Sequence, residues 1–241
     1  MRLEFINKVK VGETLGKNIL TNDGSVWLRT GVKFTKTYIE KLKELGVFYV
    51  YVEDARLDDV SIEDEKLSNL KSIAMKNMSK IMKNVTEGNK KGTKHSLSVV
   101  EDLVNHIVAM GDVNKSLYDI QTFDNYTYIH SIDTGIMAIF LGISMKLNES
   151  ELKELSIGAI LHDIGKIKID KDIITKPGKL TTEEFEEIKQ HPIYGREILE
   201  KNFSMSNKIL KAVEHHHERV DGNGYPYGLT KNQISKFAKI I

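Results

Sequence analysis

The order of apolar and polar residues divides the chain into a strand-rich beginning and a longer helical part. Within the first 56 residues, short runs rich in β-branched and aromatic residues occur at Phe5–Val11, Val26–Leu28 and Val47–Val52. Asn22-Asp23-Gly24 is typical of a turn between two of these runs. Thr35–Leu45 has apolar residues at a spacing of three, which predicts a helix. We therefore predict a small α+β module, with a regulatory or structural role because no catalytic residue type is concentrated in it.

The next segment, residues 57–116, is predicted to be a helical connector. Apolar residues recur with a period near 3.5 over Leu67–Val85, and the pattern resumes over Val100–Val108. The polar residues Glu87–Gly92 lie between these stretches and predict a turn. The pattern indicates two antiparallel helices that pack on the domain that follows. The alternative is that they form a dimerisation surface, and hence a homodimer.

The last segment, residues 117–241, is predicted to be an all-helical domain, so the chain as a whole is mainly α. An apolar stripe over Ile129–Ile143 predicts one helix, with His130 at the border of the stripe. A second helix is predicted over Glu149–His162, with Gly165 as its stop signal.

Two further helix starts are indicated by their residues. Thr181 and Glu184 have the spacing of a capping box, which opens a helix. Pro192 suits a first helical turn, which would place His191 near a helix N-terminus.

Composition narrows the class of protein only slightly. The apolar fraction of 40% and the charged fraction of 29% are typical of a soluble globular protein, and the net charge of +1 gives no basic field for duplex nucleic acid. The absence of cysteine excludes disulfides and is compatible with a reducing cytoplasm, where we expect the protein to act. The N-terminus has no signal-peptide core, and the apolar stretch Gly135–Met145 is too short to span a bilayer.

Histidine is the residue type with the most informative distribution. Six of the eight histidines lie between residues 130 and 217, in four short clusters. The clusters are Tyr128-Ile129-His130-Ser131, His162-Asp163-Ile164-Gly165-Lys166, His191-Pro192, and His215-His216-His217 with the loop as far as Pro226. Neutral imidazoles and a carboxylate are suitable ligands for a first-row transition metal ion, and this chain offers no thiolate. We therefore predict a metal-dependent hydrolase domain.

The adjacent pair His162-Asp163 suggests how many ions there are. Neighbouring residues on a helix diverge by about 100°, so both can meet one ion only if the helix ends there or if two ions are present. A carboxylate can bridge two cations, which makes Asp163 the natural bridging ligand and His162 a terminal one. By the same argument, His216 and His217 most easily serve two different ions. A two-metal site activates water and holds a phosphodiester for in-line displacement.

The four clusters, in this order, resemble the HD-GYP subgroup of the HD-superfamily phosphohydrolases. The resemblance covers about Leu117–Ile241, and its longest motif is His216-His217-Glu218-Arg219-x-Asp221-Gly222-x-Gly224-Tyr225-Pro226. The first 56 residues resemble the N-terminal module often found before such domains. The resemblance implies an all-helical domain with two or three metal ions, commonly iron or manganese. It also implies hydrolysis of the bacterial second messenger cyclic di-GMP to linear pGpG, and further to GMP.

The resemblance also assigns roles to individual residues. The implied metal ligands are His130, His162, Asp163, His191, His216 and His217. Lys166 is expected to contact the substrate phosphate and, with Asp163, to form the catalytic pair. The loop Gly224-Tyr225-Pro226 would shape the site or dock a cyclase-type (GGDEF) partner.

Three other positions refine this expectation. Members with three metals have a glutamate one helical turn before the first histidine, and Tyr126 at that position favours two divalent ions, Fe or Mn. His215 is interpreted as structural. Glu218 is expected to be a helix-end carboxylate that pairs with Arg219 or is solvated.

The family pattern continues past Ile241 into an Ala-x-x-Asp segment whose Asp is a further ligand, so the domain as given is expected to be truncated and weakened. Two alternatives stay open. One is a phosphohydrolase for another cyclic dinucleotide or nucleotide. The other is a non-catalytic module that senses metal or nucleotide, or docks a partner.

Overall fold

The structure is a computed structural model of the chain that describes residues 1–20, 26–57, 65–110, 128–176 and 178–241. Those residues divide into two compact units, described separately below. The first contains the described residues up to Lys76, together with the first turn of one helix up to His130. The second contains the described residues from Asn77 to Met110 and all those from Ser131 onwards.

The described residues form four short strands and nine α-helices. The strands are β1 (Arg2–Phe5), β2 (Ile19–Leu20), β3 (Val26–Leu28) and β4 (Tyr49–Val52). The helices are α1 (Lys36–Glu44), α2 (Glu65–Thr86), α3 (Lys90–Met110), α4 (Tyr128–Ser144), α5 (Glu149–Leu161), α6 (Lys171–Ile174), α7 (Thr182–Ile188), α8 (His191–Asn202) and α9 (Asn207–His215). Two 3₁₀-helices lie at Ala55–Leu57 and Ile164–Lys168. The chain is therefore mainly helical, as predicted. Among these helices, none is both long enough and apolar enough to cross a membrane.

The first unit contains a small α+β core. Strand β1 pairs antiparallel with β4, and β2 pairs antiparallel with β3. Helix α1 begins at the Thr35 cap, whose side chain accepts a hydrogen bond from the Tyr38 amide, and it buries Ile39 and Leu42. These two side chains share a core with residues from the strands and loops, among them Leu15 and Phe34. The predicted helix Thr35–Leu45 is confirmed.

The predicted strand Phe5–Val11 is wrong in its position. The strand occupies Arg2–Phe5, and the chain then turns, with the Lys8 amide donating to the Phe5 carbonyl at 2.8 Å. Ile6 and Val9 are both buried, and their spacing of three is that of a turn rather than of a strand. The predicted Asn22-Asp23-Gly24 turn lies outside the described residues.

The long elements of the second unit, in its described part, are all helices. Helices α2 and α3 are the two helices predicted for the connector, although α3 already begins at Lys90, within the predicted turn. Both hydrogen bonds of the predicted Thr181–Glu184 capping box are formed. Pro192 lies in the first turn of α8, as predicted. Helix α5 packs on α9 around Leu155, with Ala159 and Ala212 in the same core. The predicted boundaries of the module, the connector and the domain stay predictions.

Gly165 was predicted to stop the helix before it, and this role is wrong. Helix α5 already ends at Leu161, and Gly165 lies within the 3₁₀-helix Ile164–Lys168. A Cβ atom added to Gly165 would lie 1.9 Å from the His191 carbonyl oxygen and 2.5 Å from the Gly195 amide nitrogen. Only glycine allows this approach of the 3₁₀-helix to the start of α8. The same contact places Asp163 beside His191.

We predict that Gly165→Ala destabilises the protein by about 1–3 kcal/mol, because the new methyl group overpacks a backbone–backbone contact. Chemical denaturation measures the free energy of unfolding. Gly158→Ala is the matched control, since the nearest atom to its added Cβ would be the Ala212 Cβ at 3.3 Å and the other neighbours would lie at 3.9 Å. Equal effects of the two substitutions would contradict the close approach at Gly165.

Candidate metal centre

The His162-Asp163 pair lies where helix α5 ends. His162 is the last helical residue by its backbone angles, and Asp163 has already left the helix with φ −94° and ψ 6°. The His162 Nδ1 donates to the Ala159 carbonyl at 2.6 Å, and its Nε2 lies 3.2 Å from Asp163 Oδ2. Because the helix ends between them, the two side chains meet instead of diverging.

His191 and His216 approach the same carboxylate from two other helices. His191 is the first residue of α8 and is fully buried, with Nδ1 on the Ile188 carbonyl at 2.6 Å and Nε2 3.3 Å from Asp163 Oδ1. His216 follows α9, with Nδ1 on the Val213 carbonyl at 2.7 Å and Nε2 3.8 Å from the same Oδ1. In each case the carbonyl fixes the proton on Nδ1 and leaves the Nε2 lone pair facing the centre.

One group of side chains has the composition of a metal site. Asp163, His191, His216 and His217 each offer a ligand atom, and these atoms all lie within 4.8 Å of one another. Three imidazoles with one carboxylate suit a first-row transition ion. The prediction that His216 and His217 serve two different ions assumed a continuous helix. Since α9 ends at His215, both side chains can face one ion.

The two oxygens of Asp163 have different neighbours. Oδ1 faces His191 and His216, whereas Oδ2 faces His162 and accepts from Lys166 Nζ at 2.7 Å. Burial acts to raise the pKa of Asp163, but the facing imidazoles of His162 and His191 and the charge of Lys166 outweigh it. The pKa is therefore held well below its usual range, and the carboxylate is ionised.

His216 and His217 are held neutral. Burial lowers the pKa of His216 well below its usual value, and the neighbouring imidazoles His162 and His217 add to the effect. Burial likewise lowers the pKa of His217 to about 4, with a further contribution from His191. Neutral imidazole is the form that binds metal, so these ligands need lose no proton near pH 7.

The predicted loop lies directly against this group. The Tyr225 ring stacks on the His217 ring, with centroids 4.6 Å apart and planes at 21°, and the Tyr225 amide donates to the His217 carbonyl at 3.2 Å. Burial, followed by the charge of Asp163, raises the pKa of Tyr225 to about 12, so its phenol is neutral. Gly224 and Pro226 flank this ring. The loop therefore forms one wall of the centre.

His130 and His215 are the two remaining histidines of the sequence clusters. His130 is in the first turn of α4, is exposed, and groups with the first unit, so its role as a ligand stays a prediction. His215 is buried, accepts a hydrogen bond from the Ser235 amide at 3.4 Å, and has Nε2 3.6 Å from Glu214. These contacts agree with the structural interpretation of His215.

The expectation for Glu218 is wrong. Arg219 pairs with Asp221, and the Glu218 carboxylate accepts the amides of Tyr227 and Leu229, each at 2.7 Å. The sequence pattern contains no signal for this, because the partners are nine and eleven residues away and meet Glu218 only when the loop folds back. Glu214 is a further residue that no sequence pattern indicated, and it is buried between Arg196 and the Tyr227 hydroxyl.

Comparison with known proteins agrees with this geometry. Residues 123–241 match the family model described as HD domain. The chain is 35% identical over 148 residues to the cyclic di-GMP phosphodiesterase PA4108 of Pseudomonas aeruginosa, which covers 61% of this chain and 36% of that protein. It is 33% identical over 116 residues to the 3'3'-cGAMP-specific phosphodiesterase 3 of Vibrio cholerae, which covers 48% of this chain and 25% of that protein. The chain thus spans little more than a third of the first relative and a quarter of the second.

A solved structure supports the fold. Bd1817, an HDG"Y"P protein from Bdellovibrio bacteriovorus, is similar with a TM-score of 0.56 over 99% of this chain and 84% of that chain. The sequence identity is 17%, so this likeness concerns the fold alone. The chain therefore contains an HD domain, the fold of a metal-dependent family.

We predict that Asp163→Ala removes most of the bound transition metal, because the carboxylate is the one anion among the grouped ligands and has imidazoles on both oxygens. Elemental analysis of protein purified with Mn²⁺ measures the ion content per chain. The matched control is His95→Ala, which removes an exposed histidine outside the group. Unchanged metal content in Asp163→Ala would contradict the assignment.

Proposed function

We propose that the chain is a metal-dependent phosphodiesterase that hydrolyses cyclic di-GMP to pGpG and then to GMP in bacterial second-messenger signalling. The observation that supports this most directly is the group of Asp163, His191, His216 and His217, whose ligand atoms lie within 4.8 Å of one another in a segment that matches the HD domain family model. The name of the Pseudomonas relative supports the choice of substrate. The absence of cysteine suits the reducing cytoplasm in which we place the activity.

We further propose two divalent ions, iron or manganese, that share Asp163. His191, His216 and His217 would hold one ion. His130 and His162 would hold the other, in line with the sequence resemblance. Asp163 Oδ1 faces His191, whereas Oδ2 faces His162. This arrangement supports a bridging role, because each oxygen could bind a different ion. When bound, the ions would supply Lewis acidity and activate water for attack on phosphorus.

The protein side chains prepare this chemistry in three ways. Asp163 is ionised and buried, so it concentrates negative charge where cations are needed. Lys166 has three N–H donors, so one can stay on Asp163 while another meets a phosphate oxygen and stabilises the charge that develops there. Tyr225 covers His217 with a neutral ring and limits the access of water from that side.

A second substrate is supported by the comparisons. The relative from Vibrio cholerae is named for 3'3'-cGAMP, another cyclic dinucleotide, and its identity to this chain is close to that of the Pseudomonas relative. The two substrates contain the same kind of phosphodiester linkage, so the grouped ligands suit both. The two dinucleotides differ in their bases, so the protein surface that contacts the bases would determine which of them is hydrolysed.

The proposed partner is a GGDEF-type cyclase that docks on the loop beside the centre. Val220 and Tyr227 support this proposal, since both are large side chains more than half exposed on that loop. A homodimer through α2 and α3 is the corresponding proposal for self-association.

We predict that the chain loaded with Mn²⁺ or Fe²⁺ converts cyclic di-GMP to pGpG, and that Lys166→Ala keeps its metal but turns over roughly 10²–10³-fold more slowly. Separation of the products by chromatography, with 3'3'-cGAMP as the competing substrate, measures both. Lys179→Ala, which removes an exposed lysine, is the control and should keep full turnover.

Two outcomes would contradict these statements. A fully metal-loaded chain that consumes neither dinucleotide would overturn the proposed function and favour a sensing module. Full turnover in Lys166→Ala would show that this lysine has no role at the phosphate.

A further inference from the structure

Glu218 immediately follows the last histidine of the metal group, but its carboxylate binds backbone. Oε1 accepts from the Tyr227 amide and Oε2 from the Leu229 amide, each at 2.7 Å. Hydrogen bonds between an ionised carboxylate and backbone N–H groups are among the stronger ones in proteins. One side chain at the start of the loop thus holds two amides at its far end.

The loop is folded tightly over the Glu218 backbone. A Cβ atom added to Gly224 would lie 2.2 Å from the Arg219 nitrogen and 2.5 Å from the Glu218 Cα. An antiparallel bridge between Asp221 and Thr230 closes the base of the loop. Between these contacts lies Tyr225, whose ring rests on His217.

The carboxylate of Glu214 also binds this loop, through the Tyr227 side chain. The Tyr227 hydroxyl donates to Glu214 Oε1 at 2.7 Å, and Arg196 Nη1 donates to Glu214 Oε2 at 2.5 Å. Glu214 is buried on α9, and Arg196 is on α8. The loop is therefore tied to the two helices that supply three of the grouped imidazoles.

We propose that Glu218 is a positioning residue that holds Tyr225 stacked on the metal ligand His217. Both carboxylate oxygens of Glu218 are engaged by backbone amides, so the residue acts through the loop rather than on the substrate. The fixed ring orients the His217 imidazole and forms a wall against which the dinucleotide lies. The kinetic consequence rests on the proposed function, whereas the effect on the loop and on the metal environment does not.

The variants are chosen to separate positioning from folding. Glu218→Ala removes both acceptors, and Glu218→Gln keeps the shape of the side chain and one acceptor oxygen. Tyr225→Ala removes the ring itself. Glu197→Gln is the matched control, because it changes an exposed glutamate whose partner is Lys168.

The first measurement follows the loop without any substrate. Hydrogen exchange at the Tyr227 and Leu229 amides should be slow in the wild type and in Glu197→Gln, intermediate in Glu218→Gln and fast in Glu218→Ala. In the Co²⁺-loaded protein, the visible absorption spectrum should change in the same way for Glu218→Ala and Tyr225→Ala, because both release His217. Fast exchange with an unchanged Co²⁺ spectrum would overturn the proposal.

The second measurement is a double-mutant cycle on turnover. Glu218→Ala should keep its metal and lose about 10- to 100-fold in kcat/KM, the usual effect of removing a group that supports a metal ligand. Because Glu218 acts through Tyr225, the double variant should lose no more than the larger single loss. Fully additive losses would overturn the proposal, and if Glu218→Ala fails to fold, Glu218→Gln decides by the same cycle. A wild-type chain that consumes no dinucleotide would refute the proposed function only, since exchange and spectrum still test the positioning.

Discussion

The buried Asp163 carboxylate is the feature on which the rest of the centre depends. An anion removed from water is costly unless it is surrounded by donors. Here the Lys166 ammonium donates to one oxygen at 2.7 Å, and the Nε2 atoms of His162 and His191 lie 3.2 and 3.3 Å from the carboxylate. The carboxylate stays charged, and the ends of the helices that supply these side chains meet around it.

Three of the histidines are oriented by backbone carbonyls. His162, His191 and His216 each place Nδ1 on the carbonyl three residues earlier, at or beside a helix terminus. Carbonyls near helix ends have few intrahelical partners, so they are available for this purpose. The same local device, used three times, leaves every Nε2 facing Asp163. The contact of Gly165 with the start of α8 then sets the distance between the helices.

The sequence predicted those features that depend on local chemistry. The capping box at Thr181 and the proline in the first turn of α8 are short-range signals, and both are confirmed. Five of the six residues expected to bind metal lie together: His191, His216 and His217 group with Asp163, and His162 lies 3.2 Å from it.

The predictions were wrong where the role of a residue depends on contacts with residues far away in the sequence or on the path of the folded chain. A glycine in the sequence can end a helix or allow close contact with another backbone segment. For Gly165, the position of the His191 backbone in the fold shows that the second role applies. Glu218 binds amides nine and eleven residues later, which no periodicity encodes. The strand at Phe5–Val11 was misplaced because Ile6 and Val9 are buried by a turn.

The most direct test of this account is the position of the metal itself. Anomalous diffraction at the manganese edge, from crystals grown with Mn²⁺, locates the ions without assuming their ligands. We expect an ion about 2.0–2.3 Å from the Nε2 atoms of His191 and His216 and from Asp163 Oδ1, with a second ion on Oδ2. Coordination through Nδ1, or an ion bound away from Asp163, would contradict it.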